Sequence, residues 1–64
     1  MSDLNYVRKQ AQRMRDSEHP KAKADAGWRI LSNSNEPGLS DDGTLTPEQM
    51  QKAQTIAAEV LEDV

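Results

Sequence analysis

Apolar residues recur along this chain at steps of three and four, the spacing of one face of a helix. Leu4, Val7, Ala11 and Met14 make the first such row, and a helix is expected over residues 3–16 with Ser2 or Asp3 as its cap. Ser17-Glu18-His19-Pro20 interrupts the row. Proline removes a backbone donor and pushes His19 out of helical geometry, so the arm is kinked or broken there. Ser17 is an available cap for a second helix, expected from about 18–20 to 32 with Pro20 in its first turn. Its apolar face is expected to carry Ala24, Trp28 and Leu31, flanked by Ile30. Gly27 weakens that helix by about 1 kcal/mol and points to close approach by another helix. The last row is Met50, Ala53, Ala57, Val60 and Val64, widened by Ile56 and Leu61.

The start of the last helix is written in six residues, Leu45-Thr-Pro-Glu-Gln-Met50. Thr46 is placed to cap, Pro47 to occupy the first helical position and Gln49 to reach back to the cap N–H. Leu45 and Met50 are spaced to close over the turn as a hydrophobic staple. Ahead of them, residues 33–45 are rich in Ser, Asn, Asp, Gly and Pro and form a loop in which Leu39 is the expected core anchor. The final helix is expected over 47–62. The fold class is therefore all-α, one domain over residues 1–64, arranged as a helical hairpin or a small three-helix unit. A loop of this length favours antiparallel packing.

Size adds a constraint. The chain has 64 residues, fifteen large apolar side chains, no cysteine and one histidine. No disulfide or thiolate zinc site can reinforce so small a core, which leaves self-association or a partner protein as the remaining support. A homodimer, a larger host protein, or both are expected. Charge is unevenly spread: residues 1–32 hold seven Lys/Arg and four Asp/Glu (+3), and residues 33–64 hold one Lys and seven Asp/Glu (−6), for −3 in all. Two halves that fold together and attract at their rims are the favoured explanation; a basic face for nucleic acid or an acidic protein is the alternative, and the acidic total argues against a dedicated nucleic-acid binder. No apolar run reaches the ~20 residues of a membrane span, and the N-terminal residues lack a signal-peptide core. A cytoplasmic location is expected.

Candidate chemistry is sparse. From Gly38 to Gln49 the chain resembles the back half of an EF-hand calcium loop, with Gly43 at the sharp turn and Asp42 before it. It departs at both ends, where Gly38 and Gln49 replace the charged ligands. An Asp-Gly turn feeding a capped helix accounts for the same letters, and no metal or other cofactor is expected. Ser32-Asn-Ser-Asn-Glu36 resembles the inhibitory motif of antitoxins that act on Fic-type AMP-transferases, a match of five residues that would place Ser32 and Glu36 on one helix. It departs at Pro37, where the motif has Gly or Asn. Tyr6, Arg8, Lys9, Arg13 and Arg15 form an aromatic-and-basic set on the first helix, a potential nucleic-acid contact. Trp28, the one tryptophan, is read as a central packing residue before an interface anchor; with Ile30 and Leu31 it is the expected docking patch for a protein partner. Leu4, Val7, Met14, Met50, Ile56, Ala57, Val60 and Leu61 are the expected helix seam or dimer interface. There is no phosphate loop, no His-Glu-x-x-His and no cysteine nucleophile. The expected role is a non-catalytic, stoichiometric regulator that binds protein, in the manner of an inhibitor, an antitoxin or a phage accessory protein. Nucleic-acid binding through the first helix and a degenerate calcium loop are the alternatives.

Overall fold

The computed structural model describes residues 4–62. It contains three helices, α1 (Leu4–Asp16), α2 (Pro20–Asn33) and α3 (Pro47–Glu62), and each packs on the other two. The chain is broken rather than kinked at Ser17–His19 and turns back on itself, giving a three-helix unit instead of an open hairpin. The radius of gyration is 10.7 Å, close to the ~11 Å of a folded chain this long. The expected caps at Ser2 and Asp3 and the end of the last row at Val64 lie outside the described residues.

α2 begins at Pro20 because His19, held extended at φ −86° and ψ 128°, meets the demand proline makes on its predecessor. His19 is the N-cap and makes no side-chain cap bond, so Ser17 does not cap this helix. The other end is closed by a Schellman motif. Asn35 adopts a left-handed φ of 58°, its N–H donates to Ser32 O at 3.1 Å, and Glu36 N–H donates to Leu31 O at 3.0 Å. Asparagine tolerates this conformation better than most non-glycine residues.

α3 starts as its sequence demands. Gln49 N–H donates to Thr46 Oγ1 at 3.2 Å, and Thr46 N–H donates to Gln49 Oε1 at 2.9 Å. Two otherwise unpaired helix-start donors are thereby satisfied. Leu45 and Met50 both pack against the core, as does the loop residue Leu39.

The core consists of Ala11, Met14, Ala26, Ile30, Leu31, Ala53 and Ala57, with Val7, Leu39, Leu45, Met50, Ile56 and Leu61 around it. On α2 the buried stripe is Ala26, Gly27, Ile30 and Leu31, shifted from the expected Ala24–Trp28–Leu31 face. Small residues account for the shift. A Cβ on Gly27 would lie 3.0 Å from Leu45 Cδ1 and 3.2 Å from both Ala53 Cβ and Met14 Cε. The backbone there is the meeting point of α1, α3 and the loop, and any side chain would crowd it. Tryptophan is too large for that crossing and sits half-buried beside it. On α1 the intramolecular seam runs Val7–Ala11–Met14. Leu4, one turn short of it, stays 48% exposed.

Candidate functional site

The expected docking patch does not survive folding. Ile30 and Leu31 have no accessible surface, so they hold the fold together and cannot meet a partner. Both lie on the side of α2 that faces its neighbours, and no continuous Trp28–Ile30–Leu31 surface exists. Trp28 is half-buried, and its Nε1–H donates to Ser40 O at 2.7 Å. It fastens the 34–46 loop to α2, the polar use a partly buried indole usually finds.

A different apolar surface is present where the C-terminal ends of α1 and α3 meet α2. Ala57, Ala58 and Leu61 from α3 and Met14 from α1 line a groove of about 430 Å³. Arg15, Lys23, Gln54 and Glu62 complete its wall. Gln54, Ala57, Ala58 and Leu61 follow one another at helical spacing, so a single face of α3 supplies one side. The hollow exists because two consecutive positions are alanine. Ala57 turns to the core and Ala58 to solvent. Of the seam residues, Met14 and Ala57 are buried, Val7, Met50, Ile56 and Leu61 pack around the core, and Val60 is half-buried.

The aromatic-and-basic set of α1 is drawn into a charge network. Arg13 reaches Asp25 on α2 at 3.0 Å, and Arg29 meets the same carboxylate oxygen at 3.0 Å. The Arg29 hydrogen bond holds the Asp25 carboxyl below its usual value against the opposing cost of desolvation, and the Arg29 and Arg13 charges add to the lowering. The Tyr6 side chain, and after it Asp25, raises Arg29. Arg15 pairs with its neighbour Asp16 at 2.9 Å. Two of the four expected phosphate-binding cations are thus engaged by carboxylates. Arg8 is half-buried and Lys9 is exposed. Tyr6, Trp28 and Arg29 line a shallow hollow of about 380 Å³ with Ser32 and Asn33. Arg29 is the member sequence reasoning missed, although its i,i+4 spacing from Asp25 was there to be read.

The loop is organised around Asp42. Its Oδ1 accepts from Ser40 Oγ at 2.6 Å, Thr44 Oγ1 at 2.7 Å and Thr44 N–H at 3.0 Å. The Ser40 hydroxyl and then the two Thr44 donors hold the Asp42 carboxyl down to about 2. Donors converge on this oxygen, whereas a cation needs converging acceptors. Gln49 is occupied at both ends, since its Nε2 donates to Gly38 O at 3.2 Å. Gly38 and Gly43 supply the left-handed turns, at φ 79° and 84°. Among the described residues no three of His, Cys, Asp and Glu group as a metal site, and no helix is long and apolar enough to cross a membrane. Ser32 lies in the last turn of α2, whereas Glu36 lies outside the helix, at the end of the Schellman turn, paired with Lys52 at 2.8 Å. The two residues of the antitoxin-like motif therefore do not share a helix.

Comparison with protein-family models, with curated proteins and with solved structures finds no match for this chain.

Proposed function

We propose that this chain is a non-catalytic regulator that acts by binding another polypeptide through the groove between α1 and α3. The observation that carries this reading is an apolar hollow floored by the buried Met14 and Ala57, with half-buried Leu61 and exposed Ala58 at its surface and charge on both rims. A hollow of small side chains bordered by polar groups is the shape into which a partner's larger apolar side chain docks. Its lining holds no Ser, Thr, Cys or His side chain, and we assign it binding rather than chemistry.

The test is a photo-cross-linking residue, benzoylphenylalanine, placed at Ala58. That position is solvent-facing and outside the core. Irradiation in cell extract is expected to yield adducts with protein, resistant to nuclease and persisting as salt is raised, because apolar docking depends weakly on ionic strength. Adducts that nuclease removes, or binding that falls steeply with salt, would transfer the function to nucleic acid and to α1. The absence of any polypeptide adduct would remove the groove from consideration.

A further inference from the structure

We infer that the groove is an interface between two copies of this chain, related by a two-fold axis. This rests on the docking reading above and names its occupant. The rim charges supply the argument. Lys23 stands on the α2 side of the groove and Glu62 on the α3 side, and among the described residues neither has an ion-pair partner. The last turn of α3 carries Glu59 and Glu62 with no basic residue, so its carboxylates add to the negative pole of the helix rather than offsetting it. Arg15, in the last turn of α1, also lines the groove but is paired with Asp16, which leaves Lys23 as its positive rim.

In an isologous contact, residue i of one copy meets j of the other, and j meets i. A wall with one positive and one negative rim satisfies itself under that operation: Lys23 of each copy faces Glu62 of its partner, twice. A partner of single charge sign would meet repulsion at one rim. Leu61 is the apolar side chain available to fill the space above Ala57 and Ala58 of the opposing copy. With one apolar side chain from each copy at its centre and two exposed ion pairs at its rims, the contact is expected to hold a dimer in about the micromolar range or weaker.

Sedimentation velocity across roughly 10 µM to 1 mM is expected to show conversion of a 7.1 kDa species to one of twice that mass. Lys23→Glu and Glu62→Lys each turn both symmetric attractions into repulsions. Each variant alone is expected to dimerise on the order of tenfold more weakly. Mixed one to one, the two variants again set opposite charges against each other at both rims. One rim pairs the two substituted positions and the other pairs the two native ones, so the mixed dimer is expected to recover wild-type affinity. Recovery on mixing cannot come from a contact within one chain. A dimer indifferent to both substitutions overturns the inference, since it would use another face. A species monomeric throughout, whose position-58 probe still joins a different protein, overturns the second copy and leaves the docking reading standing. A monomer whose probe joins nothing overturns both.

Discussion

Replacing Gly27 by alanine sets two opposing effects against each other where α2 meets α1, α3 and Leu45. Alanine in a helix interior is favoured over glycine by about 1 kcal/mol, partly through the unfolded chain. The new methyl would lie 3.0 Å from Leu45 Cδ1 and 3.2 Å from Met14 Cε and Ala53 Cβ, inside the ~3.5–4.0 Å of a good carbon contact. Leu45 and Met14 present the ends of flexible side chains and can yield. Ala53 Cβ is fixed to the α3 backbone and moves only if the helix moves. Overpacking of this kind costs about 1–3 kcal/mol, so the expected net result is destabilisation of about 1 kcal/mol. For a domain this small that lowers Tm by roughly 4–8 °C, readable by circular dichroism at 222 nm. Ala53→Gly should also destabilise, through lost helix propensity. In the Gly27→Ala/Ala53→Gly double variant the clash is relieved, and the loss should fall short of the sum by about 1 kcal/mol. A higher Tm for Gly27→Ala, or strict additivity in the cycle, would mean that α2 and α3 do not cross this closely, and the account of the core would be wrong.

Thr46→Ala removes the cap oxygen of α3 and is expected to cost about 1 kcal/mol in a urea titration; an unchanged midpoint would mean the capping box contributes nothing. Trp28→Phe keeps an aromatic ring, a smaller one, but loses the bond to Ser40 O. It should speed amide exchange over residues 38–44 far more than in α1 or α3, and uniform acceleration would show that Trp28 supports the core instead. Asp42 titrates near 2 when folded, below its ordinary value of about 3.9. Its contribution is therefore complete above about pH 4 and is lost as pH falls through 2. The stability difference between wild type and Asp42→Asn should shrink over that window. A difference that stays constant from pH 5 to pH 2 would contradict the three hydrogen bonds assigned to its carboxylate.

What is legible in this chain is local. The α3 start can be read because its cap, proline and returning glutamine lie within four residues and act on one another. The break at Pro20 can be read because proline constrains its immediate predecessor. The Schellman turn after α2 escapes notice because its signal is one asparagine in left-handed geometry, hidden among residues that all favour turns. The face of α2 is misphased because a search for large apolar residues gives weight to Trp28 and little to Ala26 and Gly27, which are the residues that let helices meet. Arg13–Asp25 joins residues twelve apart and depends on how the chain folds back. The groove leaves no mark in the pattern, since it is made of volume that alanine does not fill.

Those small residues also link the packing to the proposed role. Ala11, Ala26, Gly27, Ala53 and Ala57 let three short helices approach closely, but each removes little apolar surface from water. Among the described residues, the only large side chains wholly enclosed are Ile30 and Leu31. Close approach at the centre therefore displaces bulk outward, and Met50, Ile56 and Leu61 are left at the periphery with part of their surface exposed. Enlarging the central alanines would bury more in principle, yet the contacts at Gly27 leave no space for it without separating the helices. The apolar area this fold leaves uncovered is thus a consequence of how its helices cross; part of it lies beside Leu61 and Ala58, and it is this part that the proposed role assigns to another polypeptide.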